Sequence, residues 1–323
     1  MIRRQKGQQL KTVDVIIPVY KPGDRLKKII SRLRNQTYPV NRIILINTGR
    51  AYFEQAFKGD MSFFETDDIV LRHISPEQFD HGTTRRMAVS VSKADYFICM
   101  TDDALPMDRH LIENLLNPLI DKKASASYAR QLAGKEAGIV EKYSRRFNYP
   151  DSSTIKSLDD MDELGIKTFF CSNACAAYDR TVYDELGGFE KHMIFNEDMV
   201  YASKVIDSGY RIAYVADARV LHTHKYTALQ QLKRNFDLGV SQAQFPEVFE
   251  RVSSSSEGVR MIRIMLGSLV KKGEYLQIPG VMLNTACKLA GYKLGKMYKK
   301  LPMWLILKLT MNKVYWKNPS LRS

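Results

Sequence analysis

The sequence predicts an α/β fold in which a mostly parallel sheet is covered by helices on both faces. Two observations lead to this prediction. Short apolar runs rich in β-branched residues alternate with segments in which apolar residues recur every three or four positions. Several of the apolar runs also end in glycine, asparagine or aspartate, as expected where a strand enters a turn. Sheets of this kind bind ligands at the carboxyl ends of their strands.

The elements follow one another regularly along the chain. Residues 13–19 form an apolar strand, residues 21–23 a turn, and Asp24 is suited to cap the helix that follows. The apolar positions of that helix are Leu26, Ile29, Ile30 and Leu33. The same alternation predicts strands at 42–46, 69–73, 95–100, 124–129, 211–215 and 219–222, and helices at 84–92, 111–120 and 197–208. Residues 130–175 lack this periodicity, which predicts an excursion from the sheet towards a substrate.

The composition indicates a folded intracellular protein. The 323 residues include 45% hydrophobic and 26% charged residues, values that exclude a disordered chain and a small disulfide scaffold. The four cysteines lack the spacing of a zinc or thioredoxin motif and are predicted to be reduced thiols. The basic amino end leads directly into a strand, without the apolar core and cleavage site of a signal peptide. We therefore expect a cytoplasmic protein.

The net charge of +14 predicts an anionic partner. In residues 257–323, Lys and Arg alternate with Met, Leu, Ile, Tyr and Trp over short helical stretches interrupted at Pro279 and Pro302. This pattern predicts a catalytic domain at 1–256 and a basic amphipathic helical appendage at 257–323 that lies on an anionic membrane surface. Nucleic acid is not expected, because no helix-turn-helix, zinc or aromatic-basic sheet signature is present. The alternative is a helical pair that packs on the catalytic domain or on a second subunit, as in a homodimer.

Two pairs of acidic residues lie at positions where metal-binding or catalytic side chains are expected. Asp102 and Asp103 directly follow a predicted strand, and carboxylate oxygens at that position suit Mg²⁺ or Mn²⁺. Glu197 and Asp198 begin a predicted helix, where one carboxylate can act as a general base. Helix capping is the alternative explanation for both pairs.

Two further segments carry polar groups suited to ligands. His222 and His224 are two residues apart in an extended segment, so both imidazoles project to one face and can complete a metal site. Residues 79–86 place a glycine, two hydroxyls and two guanidinium groups before a helix, which suits a phosphate or a polar base. Ordinary surface polarity and a solvated turn are the respective alternatives.

Together these segments resemble glycosyltransferase family 2 and, within it, the bacterial rhamnosyltransferases. The resemblance extends from about Val13 to Gly239. It rests on VDVIIPVY at 13–20, FDHGTTRRMAVSVSKADYFICMTDDALP at 79–106, RQLAGKEAGIVEKYSRRFNYPDSS at 130–153, LGIKTFFCSNACAAYDR at 164–180, LGGF at 186–189, NEDM at 196–199 and VLHTHKY at 220–226. The combination of HGTTR, RxFNYP and GIKTFFxSNxCAAY is the part that indicates rhamnose.

The resemblance implies an A-type glycosyltransferase fold and a role for each matching residue. The implied nucleotide-sugar site consists of Pro18, Val19, Tyr20, Asn47, His81, Gly82, Arg85 and Asp102. Asp103 is the implied metal-binding acid, with His222 and then His224 as further ligands. Asp198 is the implied general base, and Glu197 orients the acceptor. The implied acceptor side includes Lys167, Ser172, Asn173 and Gly188. Because the acidic motif is Thr-Asp-Asp instead of Asp-x-Asp, the choice between Asp102 and Asp103 stays open.

The resemblance also implies a reaction. An acceptor hydroxyl, deprotonated by Asp198, attacks the anomeric carbon of dTDP-β-L-rhamnose with Mg²⁺ or Mn²⁺ bound, and the configuration inverts. The implied acceptor is a lipid-linked saccharide for a surface polysaccharide, which places the enzyme at the inner face of the plasma membrane. A transferase for a UDP-hexose and a catalytically inactive scaffold are the alternatives. A nicotinamide dehydrogenase is excluded, because the first turn is YKPGD and not G-x-G-x-x-G.

Overall fold

One mixed sheet organises the computed structural model, which describes residues 10–224, 226–251 and 255–317. The basic amino end at 1–9 and Lys225 of the VLHTHKY segment lie outside these ranges. The strands are β1 (Val13–Tyr20), β2 (Arg42–Thr48), β3 (Ile69–Ile74), β4 (Tyr96–Met100), β5 (Leu105–Pro106), β6 (Ala126–Leu132), β7 (Thr154–Lys156), β8 (Cys175–Asp179) and β9 (Ile212–Leu221). The α-helices of the first 251 residues are α1 (Asp24–Arg34), α2 (Arg50–Ala56), α3 (His81–Val91), α4 (Leu111–Ile120), α5 (Ile139–Asn148), α6 (Met161–Leu164), α7 (Arg180–Glu185), α8 (Glu197–Asp207), α9 (Ala228–Gln244) and α10 (Pro246–Phe249). The C-terminal helices are α11 (Ser255–Lys271), α12 (Ile278–Lys296), α13 (Met303–Leu309) and α14 (Lys313–Lys317).

The strand order is β3-β2-β1-β4-β8-β6-β9-β5, with β7 also paired to β9. Strands β3, β2, β1 and β4 are parallel neighbours, as are β6 and β9. Strand β8 is antiparallel to both β4 and β6, and β5 and β7 are antiparallel to β9. The α/β class is therefore as predicted, but the sheet is mixed and not mostly parallel. The difference arises from the antiparallel strands β5, β7 and β8, which are short and were not predicted as strands.

Two of the differences between predicted and observed boundaries have a clear structural cause. The strands predicted at 211–215 and 219–222 form one strand, β9, in which the register to β6 jumps from Val215 to Arg219. The intervening residues bulge, and the amide of Ala216 donates a hydrogen bond to Ser153 Oγ at 2.9 Å. Helix α3 begins at residue 81, three residues earlier than predicted, because the Asp80 carboxylate accepts the amide of Thr83 at 2.7 Å and caps the helix.

The apolar runs are continuous because both faces of the sheet are buried. Along β1, Val15 and Ile17 pack on the side that holds Leu26 of α1, whereas Ile16 packs on the opposite side with Val205 of α8. All five of these side chains are at most 1% exposed. A central strand with apolar layers on both sides has no polar face, so its sequence shows no alternation.

The C-terminal helices pack against the first part of the chain. Helix α12 crosses α9 at glycines: a Cβ on Gly291 would lie 2.1 Å from the carbonyl oxygen of Leu232, and one on Gly295 would lie 2.1 Å from that of Phe236. Phe236 also belongs to a buried cluster with Trp316. Residues on the two sides of the predicted boundary at 256 therefore share a core. Within the described ranges, every helix is too short or too polar to cross a bilayer.

The glycine contact predicts a stability effect. Gly295→Ala should push α12 away from α9 and lower the free energy of unfolding by about 1–3 kcal/mol, the usual cost of overpacking. Gly280→Ala, on the same helix with no atom within 4 Å of the new Cβ, is the matched control. It should leave stability unchanged or raise it by up to about 1 kcal/mol. Thermal and urea unfolding measure both, and equal stability of the two variants would contradict the contact.

Candidate functional site

Exposed aromatic rings lie where β1 ends. The Tyr20 ring is 53% exposed and meets Tyr52 of α2 edge to face, with centroids 5.8 Å apart. Lys21 Nζ lies 5.2 Å and 4.8 Å from the centroids of Tyr20 and Tyr52. The amide of Tyr20 donates to Asp102 Oδ2 at 3.3 Å, which joins the ends of β1 and β4. Tyr52 was not predicted, and its only sequence signal is an aromatic residue just after the turn that ends β2.

The other predicted residues at this edge are more enclosed. Val19 is 1% exposed and Pro18 is half-buried. Asn47 is fully buried at the end of β2, where its Nδ2 donates to Gly49 O at 3.2 Å and lies 2.9 Å from His73 Nδ1. Its Oδ1 has no hydrogen-bond partner.

Asp103, His222 and His224 come together at the centre of the sheet edge. Their ligand atoms all lie within 4.8 Å of one another. Asp103 Oδ1 lies 3.1 Å from His222 Nε2, and Asp103 Oδ2 lies 3.3 Å from His224 Nδ1. Strand β5, which follows Asp103, pairs with the end of β9 just before His222, and this pairing brings distant segments together. The structure thus separates the two acids: Asp103 faces the histidines, and Asp102 bonds to β1.

This triad has the properties of a metal site. Asp103 Oδ1 and His222 Nε2 are buried, face each other and lack hydrogen-bond partners, so the donor set is incomplete without a further atom. Burial and then the neighbouring His222 lower the pKa of His224 to about 3, which keeps that imidazole neutral. Burial raises the pKa of Asp103, but the two imidazoles outweigh it, and the net pKa is lowered. Neutral imidazoles and an ionised carboxylate are the forms that bind a metal ion.

Gln131 and Arg145 support the triad and were not predicted. Gln131 Oε1 lies 2.7 Å from His222 Nδ1 and also accepts a hydrogen bond from Arg145. The amide oxygen only accepts, so it favours the His222 tautomer with its proton on Nδ1 and a free lone pair on Nε2, although Arg145 Nη2, a donor, also lies 3.2 Å from Nδ1. Gln131 Nε2 in turn donates to Ser172 Oγ at 2.8 Å. Both residues lie in segments that carry the family resemblance, RQLAG and RxFNYP, but their role follows only from the packing of α5 on β6.

Glu197 and Asp198 have different surroundings at the start of α8. Glu197 is 4% exposed, pairs with Arg85 Nη1 at 3.0 Å and accepts Asn173 Nδ2 at 3.0 Å. Asp198 is half-buried and accepts the amides of Asn173 at 2.9 Å and Met199 at 2.8 Å. Helix capping accounts for only part of this arrangement, because Asp198 accepts the first-turn amide of Met199 whereas Glu197 points inward to Arg85.

These surroundings move the two pKa values apart. Burial, followed by the charge of Glu197, raises the pKa of Asp198 to about 7. Burial also raises the pKa of Glu197, but the Arg85 guanidinium outweighs it, and the net pKa is lowered. Glu197 therefore stays ionised while Asp198 exchanges a proton near neutral pH. Such a divided pair is typical of an acid-base site.

The HGTTR segment supports this pair and does not form an exposed nucleotide pocket. Arg85, predicted to bind the nucleotide, is 4% exposed because its guanidinium is turned towards Glu197. A Cβ on Gly82 would lie 1.9 Å from the carbonyl oxygen of Glu190, so this glycine allows α3 to pack on the loop before α8. The half-buried His81 donates its amide to Met193 O at 3.1 Å in the same contact. Glu197 holds Arg85 and Asn173 through its Oε1, and its predicted role in orienting the acceptor stays a prediction.

The predicted acceptor residues divide into two groups. Ser172 and Asn173 lie in the site, bonded to Gln131 and to both acids of α8. Lys167 lies apart from them, with its Nζ 4.1 Å from the ring centroid of Phe147. Gly188 has a φ of 70°, and a Cβ there would lie 2.6 Å from the Tyr183 ring, so the turn itself requires glycine.

Comparison with known proteins identifies the family. The sequence profile described as Glycosyl transferase family 2 matches residues 14–187, more than half of the chain. The chain is 36% identical over 308 residues to the O-antigen chain rhamnosyltransferase RfbN of Salmonella typhimurium, covering 95% of this chain and 96% of that protein. It is also 36% identical over 307 residues to the O-antigen chain rhamnosyltransferase WbaN of Salmonella anatum, covering 94% and 95% of the two chains.

Solved structures with low sequence identity share the fold. The mannosyltransferase PcManGT from Pyrobaculum calidifontis, in complex with GDP-Man and Mn²⁺, aligns with a TM-score of 0.60 at 15% identity and covers 90% of this chain and 88% of its own. S. aureus TarS 1–349 in complex with UDP-GlcNAc aligns with a TM-score of 0.53 at 10% identity, covering 90% and 92%. The predicted A-type glycosyltransferase fold is confirmed. The mixed sheet, the profile match and the two relatives agree, and the chain belongs to glycosyltransferase family 2.

Proposed function

We propose that this enzyme transfers L-rhamnose from dTDP-β-L-rhamnose to a hydroxyl of a lipid-linked saccharide during surface polysaccharide synthesis. The identity of the sugar is supported by the 36% identity to O-antigen chain rhamnosyltransferases over nearly the whole chain. The chemistry is carried by one observation: Asp198 is a half-buried carboxylate whose pKa is raised to about 7 beside a fixed negative charge. Such a group is suited to take a proton from an alcohol.

The reaction is a single displacement. Asp198 removes the proton from the acceptor hydroxyl as its oxygen forms a bond to the anomeric carbon, and the bond from that carbon to the diphosphate breaks. The electron pair leaves with the nucleotide diphosphate, so the protein supplies no acid to the leaving group. The amides of Asn173 and Met199 hold the Asp198 carboxylate in place. Attack opposite the leaving group inverts the configuration.

The triad would hold a divalent metal ion through Asp103, His222 and His224, where the ion would neutralise the charge on the departing diphosphate. Two imidazoles with one carboxylate suit Mn²⁺ better than Mg²⁺, which prefers oxygen ligands. Gln131 Oε1 would accept the Nδ1 proton of the His222 tautomer that ligates through Nε2. The exposed rings of Tyr20 and Tyr52, next to Asp102, offer stacking surfaces for the nucleotide base.

The donor is tested by transfer and hydrolysis assays with the purified full chain and Mn²⁺. dTDP-rhamnose should be turned over, UDP-glucose, UDP-galactose and UDP-N-acetylglucosamine should not, and a chelator should abolish turnover. Turnover of a UDP-sugar alone would show that rhamnose is not the donor sugar, although the reaction would still be a glycosyl transfer. If every donor stays intact in the presence of membranes that supply acceptor lipids, the chain is an inactive scaffold.

Asp198→Asn tests the base. The variant should lose at least ~10²-fold in kcat, since an amide takes up no proton, whereas its Kd for dTDP should stay within about twofold. Asp67→Asn, an exposed aspartate, is the matched control and should behave as the wild type. In the wild type, kcat should rise with pH through about 7 and then level off, because only the ionised Asp198 accepts a proton. A wild-type kcat in the Asp198→Asn variant would show that Asp198 is not the general base.

We further propose that the enzyme lies on the cytoplasmic, anionic face of the plasma membrane. The C-terminal helices interleave Lys and Arg with exposed apolar side chains, among them Leu276, Leu283 and Trp304, which are 97%, 60% and 60% exposed. Apolar side chains insert into the interface, and each nearby Lys or Arg adds roughly 1 kcal/mol of attraction to anionic lipid.

Vesicle sedimentation tests this contact. The double variant Leu276→Glu and Trp304→Glu should bind phosphatidylglycerol-containing vesicles several-fold more weakly than the wild type. Leu158→Glu, at a position 46% exposed in the first part of the chain, is the control and should bind normally. Equal binding by all three proteins would mean that these helices do not contact the membrane.

A further inference from the structure

A cavity of about 540 Å³ opens beside His224, between α5, α9 and α12. Three cationic side chains line it, one from each helix: Arg145, Arg234 and Lys288. Glu141 is the single carboxylate in its lining, and it already accepts the amide of His224 at 2.9 Å and pairs with Arg145 at 3.6 Å. The lining therefore carries an excess of two positive charges.

Two of these cations lack an anionic partner. Arg234 stacks on aromatic rings, with its guanidinium carbon 4.5 Å from the centroid of Phe195 and 5.8 Å from that of Tyr226. Neither Arg234 nor Lys288 pairs with a carboxylate within the described part of the chain. Burial, followed by the charge of Arg234, lowers the pKa of Lys288. Burial also lowers the pKa of Arg234, and it outweighs the opposing effect of Tyr226. Two partly desolvated cations without a carboxylate partner favour the binding of an anion with more than one negative charge.

The cavity and the predicted base pocket lie on opposite sides of the triad. Tyr20 and Tyr52 stand at the ends of β1 and β2, in one half of the sheet. The cavity adjoins the end of β9 and α5, which follows β6, in the other half. A donor that stacks on Tyr20 and reaches the triad with its diphosphate leaves the cavity for a second phosphorylated molecule.

Helix α12 contributes both charge and apolar surface. Lys288 and Asn284 line the cavity, and the buried Asn284 Oδ1 has no hydrogen-bond partner. On the same helix, Met282, Leu283 and Leu289 are 50%, 60% and 53% exposed. A phosphorylated head group in the cavity would thus have apolar side chains next to it for a hydrocarbon tail.

We propose that this cavity binds the diphosphate of the lipid-linked acceptor, so that α12 forms part of the acceptor site. The inference rests on the proposed function, because it takes the acceptor to be carried on a lipid diphosphate. It assigns Arg234 and Lys288 to phosphate binding. The C-terminal helices therefore have a role in substrate recognition besides any contact with the membrane.

Calorimetric titration of the full chain with geranylgeranyl diphosphate and with dTDP, each with Mn²⁺, tests the site. The wild type should bind both molecules at the same time. Lys288→Met should weaken binding of geranylgeranyl diphosphate at least 10-fold and leave the Kd for dTDP within twofold. Lys293→Met, an exposed lysine on the same helix, is the matched control and should change neither. Arg234→Gln is a second variant with the same expected result, and thermal unfolding verifies that each variant is folded.

Three outcomes would overturn the assignment. Competition between geranylgeranyl diphosphate and dTDP, with both weakened by Lys288→Met, would assign the cavity to the donor. Equal binding of geranylgeraniol, with the same dependence on Lys288, would mean that the cavity recognises the hydrocarbon and not the phosphates. Unchanged binding of geranylgeranyl diphosphate in both folded variants would mean that Arg234 and Lys288 do not bind its phosphates. These titrations involve no sugar transfer, so they remain informative if dTDP-rhamnose proves not to be the donor.

Discussion

The buried ion pair between Arg85 and Glu197 is the interaction on which the site depends. Removing two charges from water is costly, and a pair of apolar residues would stabilise the fold at least as well. The pair instead fixes a negative charge beside Asp198, and that charge, together with burial, raises the pKa of the carboxyl. It also joins α3 to α8 and, through Asn173, to the segment before β8. The HGTTR segment is therefore best understood as the support of the acid-base pair.

The mixed sheet has two halves at one edge, each of which would serve one of the two proposed substrates. Antiparallel β8 separates the parallel half that carries Tyr20 from the half that carries His222. The short strand β5 then returns across this division to pair with β9, and this return places Asp103 against the histidines. The triad thus sits at the boundary between the two halves. A donor on one side and an acceptor on the other would meet at the metal site without sharing a pocket.

The C-terminal helices pack on the first part of the chain, line the cavity and expose apolar side chains. Their close contact with α9 depends on glycines that bring backbone against backbone, so they pack as part of the same core. One face of α12 supplies Lys288 to the cavity, while other side chains of the same helix remain exposed and apolar. A rigid helix with these two surfaces can couple recognition of a phosphorylated head group to contact with its hydrocarbon tail.

The sequence by itself determined the α/β class, the positions of most strands and helices, the family and the chemically important residue types, because buried runs and short-range turn signals are local properties. It selected Asp103, His222 and His224, which the structure brings together, and their binding of a metal ion stays a prediction. It could not determine the direction of β8, the burial of Arg85, the support of His222 by Gln131, or the cavity beside α12. Each of these depends on contacts between segments far apart in the chain. Burial and pairing decide whether a charged side chain binds a ligand or holds its neighbour, and only the tertiary structure supplies both.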